Sequence, residues 1–212
     1  MLFSQILAMK DASFEEINRA GMRKLDTNTH IIGSEKVGGK EFDVLLIASR
    51  GKKLDNKRMG EKPLCSGPRE GEQLTLASNG MVDADLLKYY TPDEIIGINS
   101  IREMKQELNL REMGPECVLF EGLMVDTHLF TGAFGIVTSI RIPFMLNEIN
   151  IIRSGAIERR EVDEIYPVEN TAKSIAEFLR DKRDGCLPQL ITGIVIYGYN
   201  KWGSDFLKEV TK

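Results

Sequence analysis

The chain is poor in the residue types that build disulfide frameworks and zinc sites. It has three cysteines, Cys65, Cys117 and Cys186, which are far apart and form no Cys-x-x-Cys pair, and two histidines, His30 and His128. This composition disfavours both a disulfide-stapled secreted domain and a structural zinc site. We therefore expect reduced thiols in a cytoplasmic protein.

A long hydrophobic run is also lacking. The longest apolar stretch, residues 190–199, is about half as long as a membrane-spanning helix. Residues 1–9 are mildly apolar but have neither the basic start nor the cleavage site of a signal peptide. The sequence thus predicts a protein that does not enter a membrane.

The chain carries no large excess of charge of either sign. Its net charge of −4 and its isoelectric point near 5.4 disfavour a general nucleic-acid binder and a protein held on anionic membranes. Hydrophobic residues make up 42% of the 212 residues, which is enough to bury a sizeable core in one domain of ordinary size.

Local patterns predict several strands and helices. A Ser-x-x-Glu capping box at Ser13 predicts a short helix that continues to about residue 25. Gly38-Gly39 is a turn signal between two strands and indicates a hairpin, and Asn79-Gly80 is a second turn signal. Branched apolar runs predict strands at residues 30–34, 41–49, 74–77, 117–125, 135–142, 149–153 and 161–168.

The last third of the chain continues this mixture. Asn170 is predicted to cap a helix that runs through Asp181, and a last helix is predicted from Ser204. Residues 190–199 are predicted to form a final apolar strand or another buried segment. Strands with a few intervening helices indicate an α/β or α+β fold, and no internal repeat is visible.

A second capping box marks the helix that carries the candidate chemistry. The segment Thr91-Pro-Asp-Glu94 places threonine at the N-cap, proline at the first helical position and glutamate at the third. The helix is predicted to run to about Leu108, with Asn109 as a left-handed cap.

Two acidic residues of this helix stand on one face. Glu103 and Glu107 are one turn apart, and Gln106 lies beside them. The neighbouring apolar stripe consists of Ile98, Ile101, Met104 and Leu108. Clustered side-chain oxygens suit hard cations such as Mg2+ or Mn2+, which keep several waters and accept phosphate oxygens as further ligands.

Residues 102–110, Arg-Glu-Met-Lys-Gln-Glu-Leu-Asn-Leu, resemble the core of the Nudix box, Arg-Glu-apolar-x-Glu-Glu-x-Gly-apolar. Gln106 takes the place of the first paired glutamate, and Asn109 takes the place of the glycine. The family's box has a further glutamate eight positions before its arginine, and Glu94 stands there. The glycine that opens the box is not at its usual offset.

Features outside this core also resemble the family. Gly80 is the candidate for the opening glycine, which makes residues 81–91 an enlarged loop inside the motif. An apolar strand followed by Ser49-Arg50 precedes the box, and a late strand at 161–168 followed by a helix comes after it.

The resemblance implies a fold, an activity and a cofactor. The fold would be a Nudix-type α/β/α sandwich with a mixed sheet and long loop insertions. The single domain would span residues 1–212, with a helical extension at about 1–28, a core at about 30–182 and a C-terminal extension at about 183–212. The activity would be hydrolysis of the diphosphate linkage of a nucleoside diphosphate linked to another group, with Mg2+ or Mn2+ as cofactor. The partner would be a nucleotide-derived small molecule, and a homodimer is compatible with the sequence.

The resemblance also assigns roles to single residues. Glu103 would be a metal ligand or the carboxylate that activates water, and Arg102 would orient it. Glu107 would be a principal metal ligand, and Gln106 and Glu94 occupy further ligand positions. In several Nudix enzymes a glutamate outside the box completes the site. The candidates for that glutamate are Glu148, Glu158 and Glu161, and those for substrate contacts are Arg50 and Glu161.

Alternatives stay open at this point. Gln106 keeps an oxygen ligand but removes one negative charge, so the chain is either a hydrolase or a catalytically weak module that binds a nucleotide or another protein. Glu94 is also explained by helix capping alone. The basic stretch at 51–71 is either a solvated loop or a loop that faces phosphate. A chance match in an unrelated α/β domain is the remaining alternative.

Overall fold

A computed structural model describes residues 25–50, 73–82, 86, 88–126, 133–157 and 162–212. Several predictions fall on other residues and lie outside this description. They concern the helix from Ser13, the basic stretch at 51–71, Glu158 and Glu161.

Seven strands form one mixed sheet in the described part of the chain. They are β1 (Leu25–Val37), β2 (Lys40–Arg50), β3 (Gln73–Leu76), β4 (Ser78–Met81), β5 (Leu119–Asp126), β6 (Ala133–Met145) and β7 (Val162–Glu169). The order across the sheet is β3-β2-β1-β6-β5, with β4 also paired to β1 and β7 also paired to β2. The pair of β1 and β6 is parallel and the other pairs are antiparallel.

The predicted hairpin between β1 and β2 is confirmed. Gly38 and Gly39 join the two strands with φ angles of 58° and 83°. An L side chain is strained at such angles, so glycine suits both positions. The hairpin sets the register, in which Val37 pairs with Lys40 and Ile31 pairs with Leu46.

Helices cover both faces of the sheet, which makes an α/β/α sandwich. On β2, Val44 and Leu46 point to one face while Leu45 and Ile47 point to the other, and all four are buried. Both faces of the strand are therefore apolar, which explains its continuous hydrophobic run. The helices are α1 (Pro92–Leu108), α2 (Leu146–Ile152), α3 (Ala172–Lys182), α4 (Pro188–Trp202) and α5 (Ser204–Val210).

The two helical layers differ in position along the chain. Ile101 and Met104 of α1 and Ile149 of α2 pack on the first face, together with Val44 and Leu46. The second face is covered by residues from the C-terminal helices, namely Ile175, Leu179, Leu190, Ile194 and Phe206. Residues beyond 183 therefore belong to the second layer of the sandwich.

Two segments for which a strand was predicted, the second with a buried segment as the alternative, are helices in the structure. Residues 149–153 lie mostly in α2, where Ile149 is buried and Ile151 is exposed. Residues 190–199 lie in α4, which begins at Pro188 and buries Leu190, Ile194 and Tyr197 at helical spacing. The strand predicted at 149–153 was wrong, because a short apolar run does not reveal its period. For residues 190–199 the strand was wrong and the alternative of a buried segment is confirmed, and the helical period was hidden because α4 is apolar on most sides.

Three boundaries also differ from the predictions. Asn79 and Gly80 form no turn, because they lie inside β4 and pair with Asn28 and Thr27. The cap of α3 is Thr171 instead of Asn170, and its Oγ1 accepts a hydrogen bond from Ser174 N at 3.2 Å. Residues 25–28, predicted within the helical extension, belong to β1. The helix predicted from Ser204 is confirmed as α5.

One end of the sheet lies beside α1. There β4 ends next to the start of β1, with Met81 paired to Asp26. The start of β6 lies at the same end, with Phe134 paired to Leu25. Within the described residues, no helix has both the length and the apolar character needed to cross a membrane.

Candidate functional site

Helix α1 begins and ends where the sequence predicts. Thr91 donates hydrogen bonds from its backbone N and from its Oγ1 to Glu94 Oε2, each at 2.8 Å. Pro92 occupies the first turn, and Asn109 closes the helix with a φ angle of 58°. These contacts fix the ends of the helix and therefore the phase of every side chain on it.

The apolar stripe of α1 orients its polar face. Ile101, Met104 and Leu108 are between 0% and 3% exposed and lie in the core under the sheet. Because these residues bury one side of the helix, the residues beside them must lie at the border of the core. Glu103 and Glu107 occupy this border and face strand β4.

The two glutamates are buried against β4. Glu103 is 6% exposed and Glu107 is 4% exposed. Glu107 Oε2 accepts a hydrogen bond from the backbone N of Asn79 at 3.2 Å. The residues are one turn apart, about 6 Å along the helix axis. Two buried carboxylates at this spacing repel one another when both are ionised, and a cation between them would relieve that repulsion.

Arg102 binds both Glu103 and the strand. Its Nη2 donates to Glu103 Oε1 at 2.6 Å and to the carbonyl oxygen of Met81 at 2.8 Å, and its Nε donates to the same Oε1 at 3.2 Å. Its side chain is 33% exposed, whereas that of Glu103 is 8% exposed. The arginine therefore lies at the surface and holds one oxygen of the buried carboxylate in place.

Gly80 makes the close approach of Glu103 to the strand possible. A Cβ atom added at Gly80 would lie 2.0 Å from Cδ of Glu103 and 2.3 to 2.4 Å from its two carboxylate oxygens. Any side chain at this position would therefore displace the carboxylate. Gly80 thus contacts the box helix in space although it stands far before the box in sequence.

The other box residues lie at different places on α1. Gln106 is half-buried, on the turn between Glu103 and Glu107. Glu94 is exposed in the first turn, where its carboxylate caps the helix. It lies nine residues before Glu103, about 13 Å along the axis, so the described geometry does not bring it to the other two carboxylates.

The candidates outside the box are less well placed or are not described. Glu148 is exposed and accepts a hydrogen bond from the backbone N of Met145 at 2.8 Å, at the start of α2. The backbone of Arg50 pairs with Gln73 and Val162. The prediction for the Arg50 side chain lies outside the described structure, as do those for Glu158 and Glu161.

The residues present fit a divalent cation as a partial ligand set. Among the described residues, no group of three or more His, Cys, Asp and Glu side chains could hold a metal ion. The helix offers two carboxylates and the amide oxygen of Gln106, all of them hard oxygen donors. Mg2+ and Mn2+ usually take only one or two carboxylates and complete their shells with water and phosphate oxygens. The chemistry of the donors therefore suits these ions, with a lower negative charge than three glutamates would give.

Sequence reasoning missed the backbone part of the site. The amide of Asn79 and the carbonyl of Met81 both bind α1. Backbone groups leave no signature in the identity of a residue, so only the packing of β4 on the helix reveals them. The glycine at position 80 was the one available signal, since a glycine in a strand often marks a close approach.

No protein-family model matches this chain, and no curated protein sequence matches it. Solved structures do match. A MutT/Nudix family protein from Listeria innocua aligns with 87% of this chain and 96% of its own, at 14% identity and a TM-score of 0.52. The Nudix domain of Shewanella oneidensis NrtR, in complex with ADP-ribose, aligns with 95% of this chain and 98% of its own, at 10% identity and a TM-score of 0.46. The similarity to the Listeria protein shows that the chain has the fold of the Nudix proteins, a mixed sheet between helical layers.

Proposed function

We propose that this chain, which has the Nudix fold, is a metal-dependent hydrolase that cleaves the diphosphate linkage of a nucleoside diphosphate linked to another group. One observation carries the proposal. Glu103 and Glu107 are buried one turn apart on α1, against β4, and Arg102 holds Glu103. Together with the fold, this arrangement supports hydrolysis of a diphosphate better than it supports a structural role for the pair.

Each residue of the cluster has a task in the proposed reaction. Glu103 would accept a proton from the attacking water, and Arg102 holds one oxygen of its carboxylate in place. Glu107 would bind the cation, steadied by the amide of Asn79. A divalent cation bound here would offset the negative charge that develops on the diphosphate. Gly80 leaves room for the carboxylate of Glu103 beside the strand.

A second candidate function is a module that binds a nucleotide without cleaving it. Gln106 favours this alternative, because it puts a neutral amide at a position where the Nudix box has a glutamate. The partial ligand set among the described residues favours it as well. Such a module would keep the fold and the cation site but would hold the cation too weakly for turnover.

The proposal is tested by assaying the purified chain with ADP-ribose, nucleoside triphosphates and dinucleoside polyphosphates, with and without Mg2+ or Mn2+. We expect hydrolysis of at least one of these diphosphates that needs the metal. The variant Glu107→Gln should lower kcat by about 100-fold or more, since it removes charge where the transition state needs a cation.

The matched control is Asp93→Asn, which also removes one carboxylate from α1 but lies in the exposed first turn. It should hydrolyse at the rate of the wild type. Saturable nucleotide binding without turnover would favour the second candidate. Equal rates for Glu107→Gln and the wild type would refute the assignment of this cluster.

A further inference from the structure

Asn99 is a buried polar residue in the middle of α1 that the Nudix box does not explain. It is 0% exposed, and asparagine is a poor helix former in a helix interior. Its amide Nδ2 donates to Thr27 Oγ1 on β1 at 2.7 Å and to the carbonyl oxygen of Gly80 on β4 at 3.4 Å. The side chain therefore joins three elements, the helix and two strands of the sheet.

The position of Asn99 on the helix links it to the candidate site. Asn99, Glu103 and Glu107 follow one another at intervals of four residues, so they form one row on one face. All three contact β4, because Asn99 binds the carbonyl of Gly80, Glu103 packs on its Cα and Glu107 binds the amide of Asn79.

Its own hydrogen bonding is incomplete. The Oδ1 atom of Asn99 is buried and has no hydrogen-bond partner among the described residues. An unsatisfied buried acceptor destabilises the folded state by roughly 1 to 3 kcal/mol. A residue chosen only for packing at this position would be apolar and would avoid that cost, so stability alone does not account for asparagine here.

We propose that Asn99 is a positioning residue, which fixes Gly80 relative to α1 and thereby sets the place of the Glu103 carboxylate. The inference rests on the function proposed above and extends it. Gly80 and the Glu103 carboxylate are closely packed, since a Cβ atom added at Gly80 would overlap the carboxylate. A small shift of β4 therefore moves the surface on which Glu103 rests, and it also moves the amide that binds Glu107.

The experiment compares kcat and KM for hydrolysis by Asn99→Ala and the wild type, with Mn2+ affinity and the free energy of unfolding measured on the same samples. We expect kcat to fall by about 10- to 100-fold, because a displacement of about 1 Å at a reacting group has an effect of this size. KM for the nucleotide should change by less than about threefold, since Asn99 is buried and would not contact the substrate.

Two further variants separate positioning from stability. Ser100→Ala removes the neighbouring buried hydroxyl of α1, whose described hydrogen bond joins it to Thr138 Oγ1 on β6 at 3.3 Å. Thr27→Val removes the shorter hydrogen bond of Asn99 and leaves its amide free to bind Gly80. Both variants should keep kcat within about threefold of the wild type, even where their free energy of unfolding is lower.

The outcomes are distinct. Loss of kcat in Asn99→Ala alone supports the inference. If Thr27→Val or Ser100→Ala loses as much kcat as Asn99→Ala, or if Asn99→Ala keeps its kcat, Asn99 is only structural and the proposed function stands without it. A wild type that neither binds Mn2+ nor hydrolyses any diphosphate overturns the proposed function, and this inference fails with it.

Discussion

At the scale of single residues, the site depends on a contact between a glycine and a carboxylate. Gly80 does not have a positive φ angle, which in the described part of the chain is found at Gly38, Gly39, Gly203 and Asn109. Its lack of a side chain is therefore needed for space and not for backbone conformation. Glu103 fills that space.

The variant Gly80→Ala tests this contact. Its methyl group would meet the Glu103 carboxylate, so the carboxylate must move, and we expect kcat to fall by about 10-fold or more. The free energy of unfolding should fall by about 1 to 3 kcal/mol through overpacking. Ser78→Ala is the control on the same strand, because the Ser78 hydroxyl is buried without a hydrogen-bond partner in the described structure. Activity in Gly80→Ala equal to that of Ser78→Ala would contradict the role given to Gly80.

A substitution at Gln106 can add a negative charge to the site, whereas Glu107→Gln removes one. The variant Gln106→Glu would place a third carboxylate on the turn shared by Glu103 and Glu107, at a half-buried position. More ligand charge tightens the binding of hard cations, so we expect the Kd for Mn2+ to fall by about 10-fold. Titration with Mn2+ measures this change. Lys105→Glu, an exposed position on the same helix, should leave the Kd within about twofold.

At the scale of elements, α1 is held by its caps and by its apolar stripe. The C-cap Asn109 has a φ angle of 58°, and its Nδ2 donates to the carbonyl oxygen of Ile152 at 3.0 Å. That bond connects the end of α1 to the end of α2. The cap therefore fixes both the last turn, which carries Glu107, and the position of the neighbouring helix.

Two substitutions separate the backbone and side-chain contributions of this cap. Both variants lose the bond to Ile152 and the hydrogen bond that Arg111 Nε donates to Asn109 Oδ1 at 2.8 Å. Asn109→Ala also strains the left-handed backbone, whereas Asn109→Gly does not. We expect the alanine variant to be less stable than the glycine variant by about 1 kcal/mol. Urea unfolding of both variants at neutral pH measures the difference. Equal stabilities would show that the strain at position 109 is relieved elsewhere.

At the scale of the whole molecule, one buried histidine makes global stability depend on pH. His30 is 1% exposed under α4, with its ring centroid 5.5 Å from that of Tyr197. Burial lowers the pKa of His30 to about 4, and the backbone of Gly193 opposes this only in part. The unfolded chain thus binds a proton more readily than the folded chain between the ordinary histidine pKa of about 6.5 and pH 4.

Because the unfolded chain binds this proton more readily, His30 makes the folded state less stable as the pH falls. The contribution of His30 to stability is fully present above about pH 6.5 and is lost as the pH falls towards 4. It amounts to about 3 kcal/mol, because folding lowers the pKa of His30 from 6.5 to about 4. The variant His30→Gln should therefore lose about 3 kcal/mol less than the wild type between pH 7 and pH 4, as measured by urea unfolding. Parallel pH profiles of the two proteins would contradict the buried neutral state of His30.

Much of the sandwich could be predicted from the sequence, because local chemistry specifies it. The glycine pair specifies the β1–β2 hairpin. The capping box and Asn109 specify both ends of α1, and the structure has its N-cap and C-cap at the predicted residues. The central strand β2 was predicted from its branched apolar run. Helix α4 was missed, because its burial against the sheet and α5 makes it apolar on most sides and hides its period.

The sequence by itself determined the box helix, since the spacing of Glu103 and Glu107 is a property of one turn of α-helix. The contact of Arg102 with Glu103 was implied by the resemblance to the Nudix box and is present in the structure. Only the tertiary structure decided which residues of the sheet the polar face of α1 contacts. The approach of Gly80, the amide of Asn79 and the reach of Asn99 across to β1 join residues that are 19 to 72 positions apart. Such contacts depend on how β4 packs beside β1, and no local propensity or spacing encodes that packing.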